Sequence, residues 1–132
     1  MQLTDLLALE PHGPDTWVGA GPSYPWGGLY GGQIVAQALM AASHSVPEAF
    51  SVHSLHAYFI RRGDASAPIR YEVDRIRDGK SVYTRRVVAR QSTGAILNMS
   101  ASFQLKEDGP EKQTQPRPDA PDPESLPPNS WS

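Results

Sequence analysis

The chain has 132 residues, 39% of them hydrophobic and 20% charged, with a formal net charge of −2; that is enough for one core and too little for two comfortable domains. No apolar run approaches the ~20 residues that a membrane-spanning helix needs, and the absence of cysteine removes disulfides, thiolate nucleophiles and cysteine-ligated zinc. The first segment, MQLTDLLALEPHG, carries acids where a secretory signal carries Lys or Arg, so it reads as mature, cytoplasmic sequence.

In chain order, TWVGA at 16–20 reads as a short strand, and the glycine-rich stretch GGLYGGQ at 27–33 runs straight into QIVAQALMAA at 33–42. The latter is apolar nearly all round, with Gln33, Gln37 and then His44 as its polar stripe, which predicts a long, enclosed helix. From residue 51 the period becomes twofold. SVHSLHAYFI, IRYEVDRIR, SVYTRRVVAR and AILNMSASFQ, separated by RRGDASAP, DGK and STG, predict four strands in series. In the last, Ala95, Leu97, Met99, Ala101 and Phe103 share a dry face while Ile96, Asn98, Ser100, Ser102 and Gln104 share a mixed one. From Lys106 on, the chain holds seven of its thirteen prolines and few large apolar residues. Residues 1–105 are therefore expected to fold and 106–132 to form a Pro-rich disordered tail or linker.

The charge is uneven. Residues 61–90 hold nine of the twelve basic side chains against four acids, a local +5, whereas residues 1–60 hold four acids and no Lys or Arg. Such a block faces either a polyphosphate ligand or water on a solvated sheet face. No aromatic stacking series or nucleic-acid motif accompanies it, so nucleic acid is not an expected partner.

One buried helix followed by antiparallel strands predicts an α+β unit, a single hotdog fold with the sheet wrapped around one long central helix. Such a sheet leaves an edge strand open, so a homodimer or pairing with a second hotdog domain is expected.

The segments YGGQIVAQALMAA, HSLHAYFIRRGD, YEVDRIRDGKSVYTRRVVARQ and SASFQ, in this order and at these distances, resemble the N-terminal half of the acyl-CoA thioesterase II (TesB-like) family. The resemblance runs from about Leu3 to Gln104. It implies a double hotdog that hydrolyses fatty acyl-CoA to free fatty acid and CoA without a cofactor or metal, with the catalytic aspartate, hydroxyl residue and glutamine mainly in the second half. The sequence departs from the family at Arg62, where proline is usual.

Thioester hydrolysis builds negative charge on the carbonyl oxygen, and free N–H groups at a helix start stabilise it. Glycines leave those donors open to a ligand, where a Ser or Asp cap would occupy them. Gly31 and Gly32 therefore either expose an anion site or simply let the helix end pack closely. Gln33 is a candidate for orienting the carbonyl or a water, but an amide does not titrate and cannot be the base; its other reading is a satisfied buried amide. Ser100 falls near the family's glutamine, as a candidate to position water or as a plain strand serine. Gly32, Gln33 and Ser100 are the catalytic candidates. Tyr30, Gly31, His56, Arg61, Arg62, Arg85 and Arg86 are the candidates for binding acyl-CoA, with only one of Arg85 and Arg86 able to share a face with a ligand. Leu39, Met40 and Phe59 either line an acyl groove or form core. His53 and His56, three apart on a strand, are expected on opposite faces and so unable to share a metal. The alternative to an enzyme is a non-catalytic acyl-CoA-binding or partner module.

Overall fold

The structure, a computed structural model, describes residues 1–128. A short helix α1 (Leu3–Leu6) leads into β1 (Glu10–Pro11) and β2 (Thr16–Gly19). The long helix α2 (Gly31–Ser43) follows, then β3 (Phe50–Phe59), β4 (Ile69–Asp78), β5 (Val82–Gln91) and β6 (Gly94–Leu105). All strands join one antiparallel sheet of order β1-β2-β4-β5-β6-β3. The expected enclosed helix and the four strands in series are present; α1 and β1, which are too short to leave a periodic signal, were not anticipated. Beyond Leu105, residues 106–128 are exposed and contain one short 3-10 turn, Pro123–Ser125.

Alanine at positions 38, 41 and 42 makes the inner face of α2 thin, so the helix lies close against Ile69, Tyr71, Val87, Ala89, Leu97, Met99, Ala101 and Phe103. The β4–β5 hairpin closes through the Gly79 amide, which donates to the Val82 carbonyl at 2.9 Å. A β-carbon at Gly79 would fall 2.6 Å from that oxygen, so this turn requires glycine.

The outer face of the sheet carries the alternating polar residues, with one interruption. β3 pairs Val52 with Phe103 and Ser54 with Ser102, so His53 is the extra residue of a bulge. A bulge resets side-chain parity. His53 therefore turns outward to Ser102 Oγ at 2.7 Å, and His56, paired with Ser100, also lies on the outer face. The expectation that the two histidines occupy opposite faces is wrong for this reason.

The other end of α2 is closed by a charge. Arg85 points inward from β5 and is fully buried. Its Nε donates to Ser45 Oγ at 2.6 Å and its Nη2 to the Ser45 carbonyl at 3.0 Å, while Nη1 reaches the Arg77 and Thr84 carbonyls. Asp78 Oδ1 lies 2.6 Å from Nη2. A guanidinium here faces the negative end of the helix dipole, which favours a cation.

Candidate active site at the start of the central helix

Tyr30 caps α2 with an extended backbone (φ −81, ψ 124) and no side-chain hydrogen bond. The Gln33 and Ile34 amides bond back to the Tyr30 carbonyl at 3.1 and 3.4 Å. Among the described residues, the amides of Gly31 and Gly32 have no hydrogen-bond partner. Two donors at the positive end of a helix dipole are thus left open.

The glycine flanks differ. A β-carbon at Gly31 would lie 3.1 Å from the Phe59 ring, and one at Gly32 would lie 2.6 Å from Tyr30 Cε1. On the Phe59 side an open groove of about 420 Å³ is lined by Leu29, Ile34, Ile60, Arg61, Arg62 and Gly63 together with Gly31 and Phe59. Arg61 donates to the Ala95 carbonyl at 2.6 Å, and Arg62 to the Trp26 carbonyl at 2.7 Å. Both side chains are exposed and neither forms an ion pair among the described residues, so each keeps donors and full charge for a ligand. The lining of this groove holds no carboxylate and no imidazole.

On the Tyr30 side the preceding loop presents three aromatic rings. Tyr24 stacks on Trp26 with centroids 5.0 Å apart, and Tyr30 tilts toward both at 6.0 and 6.1 Å. The loop is anchored from below: the Tyr24 hydroxyl donates to Gln33 Oε1 at 2.5 Å. Burial, with the neighbouring Tyr30, pushes the Tyr24 pKa up, so it remains a donor at neutral pH.

Gln33 is 1% exposed and belongs to a buried chain. Its Nε2 approaches Gln37 Oε1 at 3.5 Å; the same oxygen accepts from the Tyr71 hydroxyl at 2.6 Å, and Gln37 Nε2 donates to the Leu6 and Ala20 carbonyls. The catalytic candidacy of Gln33 is corrected here: it is a buried amide whose oxygen and nitrogen are taken up by Tyr24 and Gln37. Burial raises the Tyr71 pKa strongly, so this network stays uncharged.

The remaining candidates separate. Gly31, Gly32, Tyr30, Arg61 and Arg62 come together at the helix start. Ser100, His56 and Arg86 form a cross-strand row on the opposite side of the sheet, where Arg86 is tied to Asp74 at 2.9 Å. A sheet lies between that row and the helix, so Ser100 does not share a site with the glycines and His56 and Arg86 do not reach the groove. Arg85, expected to bind phosphate, is instead consumed inside the fold. Tyr24 and Trp26 were missed; their signal was the spacing of aromatics at 24, 26 and 30 in the glycine-rich loop. Of the three groove candidates only Phe59 lines it, 60% exposed, while Leu39 and Met40 are half-buried elsewhere on the helix.

The profile of the acyl-CoA thioesterase N-terminal domain matches residues 20–104. The chain belongs to this family. Human acyl-coenzyme A thioesterase 8 is 44% identical over 124 residues, spanning 94% of this chain and 39% of the human protein. Acyl-CoA thioesterase 2 of Haemophilus influenzae is 44% identical over 95 residues, spanning 71% of this chain and 33% of that protein. The crystal structure of an acyl-CoA thioesterase II from Mycobacterium marinum superposes with a TM-score of 0.82 at 38% identity, covering 93% of this chain and 45% of that one. This acyl-CoA thioesterase N-terminal domain therefore spans less than half the length of each of these relatives. The hotdog fold expected from the sequence is that of a protein from Alicyclobacillus acidocaldarius, whose structure superposes with a TM-score of 0.81 at 25% identity, covering 93% of this chain and 47% of that one. Among the described residues no helix is long and apolar enough to cross a membrane.

Proposed function

We propose that the chain is the first hotdog of an acyl-CoA hydrolase that releases a free fatty acid and CoA, completed by a second hotdog supplied by a second copy or by a homologous half. The observation that carries this reading is the pair of unpartnered amides at Gly31 and Gly32, of which Gly31 lines an open groove together with the Arg61 and Arg62 cations.

The chemistry follows from that pair. A water oxygen attacks the thioester carbonyl carbon; the charge that develops on the carbonyl oxygen is held by the two N–H groups and the helix dipole. The C–S bond then breaks, and the CoA sulfur leaves with a proton. Arg61 and Arg62 suit the phosphates of CoA. The groove lining offers no group to take the proton from water, so the base belongs to the partner hotdog. The open edge strand β3 is the proposed seam, with Leu55 and Phe59 on its inner face 41% and 60% exposed. The unit proper is taken to end at Leu105, with the proline-rich stretch as a connector, and the cysteine-free composition fits a cytoplasmic setting.

The missing base favours a second reading, an acyl-CoA-binding or partner module without turnover of its own. Release of free thiol from acyl-CoAs of increasing length decides between them. Turnover by the chain alone, at a molecular weight of a dimer, supports the complete enzyme. Binding without turnover, both by the chain alone and after a homologous second hotdog is added, supports the module, and neither binding nor turnover contradicts both.

A further inference from the structure

The two sides of the helix start carry different chemistry, and this orients a ligand held there. The groove on the Phe59 side is lined by two exposed cations, Arg61 and Arg62. The Tyr30 side is a platform of three rings with Trp26 and Tyr30 each 55% exposed. Arg62 lies at the boundary: its Nη2 donates to the Trp26 carbonyl and its guanidinium packs against Gly27 and Gly28 at the back of the loop. The platform is tied to the core in spite of its exposure: Trp26 stacks on Tyr24, and the Tyr24 hydroxyl donates to the buried amide of Gln33. Large exposed aromatics held in place rather than collapsed onto the core mark a binding surface.

We infer that the Trp26–Tyr30 platform seats the acyl group, while the CoA arm leaves across Phe59 toward Arg61 and Arg62. This rests on the acyl-CoA reading above and adds direction to it. A thioester whose carbonyl oxygen sits at the Gly31 and Gly32 amides has two arms. The polyanionic arm takes the cationic side, and the apolar arm is left with the aromatic side. The surface favours acyl groups of several carbons over acetyl, because only those reach far enough to cover the exposed faces of both rings.

The test compares dissociation constants of free CoA and S-decyl-CoA, a thioether that cannot be hydrolysed, by titration calorimetry on the full chain. Trp26→Ala and Tyr30→Ala are each expected to weaken S-decyl-CoA at least about tenfold and to leave free CoA unchanged. Trp26→Phe should recover most of the loss, and Arg61→Gln should weaken both ligands alike. Equal weakening of both ligands by Trp26→Ala overturns the assignment, since the platform then seats the adenine. Unchanged binding of both also overturns it, as does a dimer lost in light scattering with S-decyl-CoA affinity intact, which would make the platform a protein contact. If the unaltered chain binds neither ligand, the acyl-CoA reading itself falls and the orientation falls with it; if it binds both and the variants do nothing, the orientation alone is wrong.

Discussion

Arg85 and Ser45 lock the end of the central helix to the sheet: one guanidinium donates to both the hydroxyl and the carbonyl of Ser45, at 2.6 and 3.0 Å, with no solvent exposure. The serine hydroxyl in turn donates to the Ala42 carbonyl at 2.7 Å. Removing the arginine leaves these buried acceptors unpaired. Arg85→Ala is expected to cost about 3 kcal/mol or more, read as a lower urea midpoint with unchanged slope. CoA affinity should not move in any refolded fraction, whereas Arg61→Gln should move affinity and leave stability nearly untouched.

A second ion pair has a pH signature. Asp15 adopts a left-handed backbone (φ 49) between β1 and β2 and accepts from Arg75 Nε and Nη2 at 2.8 and 3.1 Å. The hydrogen bond from Arg75 lowers the Asp15 pKa below the usual carboxylate value, outweighing desolvation. A lowered folded-state pKa means stability that is fully present above the unfolded value and lost as pH falls through the folded one. Both side chains are substantially exposed, 31% and 50%, so the contribution is under about 1 kcal/mol. Asp15→Asn tolerates the same backbone. Its deficit in urea stability should be visible at pH 7 and should vanish by about pH 2; a constant deficit across that range would mean that the charge is irrelevant.

The proposed seam predicts an assembly defect. Val52→Lys with Leu55→Lys places two charges on the inner face of the open edge strand, away from the Phe59 groove. The double variant should remain folded by circular dichroism and run as a monomer in light scattering, and it should lose thiol release if the partner supplies the base. A variant that stays dimeric would place the contact on another face.

The helix and the four-strand run were legible because each is long enough for its apolar period to show, and because DGK and STG mark the turns. Gly94, with φ 118, is the left-handed residue that the second of those turns needs. The helix start was legible for a related reason: glycines where a capping side chain is usual leave amides open. What failed depends on contacts distant in sequence. Arg85 and Arg86 read alike as neighbouring cations on a strand. Only the approach of Ser45 from the far end of α2 makes one of them interior, while Asp74 opposite makes the other a surface ion pair. Gln33 likewise became a buried hydrogen-bonded amide through Tyr24 and Gln37. The bulge at His53 inverted the parity on which the histidine argument rested, and no residue at that position announces it.

Gly31→Pro tests whether the open amides hold the carbonyl oxygen, without disturbing the helix. Proline is favourable at a first helical position, where the lost N–H has no helical partner. Tyr30, at φ −81 and ψ 124, already has the extended backbone that a following proline requires. A small shift of the Phe59 ring accommodates the added carbon. In the proposed assembly with a second hotdog, this variant should unfold at the same temperature as the unaltered protein or slightly higher, while kcat for thiol release from a medium-chain acyl-CoA falls about 10²- to 10³-fold. Undiminished kcat in a correctly folded Gly31→Pro protein would contradict the claim.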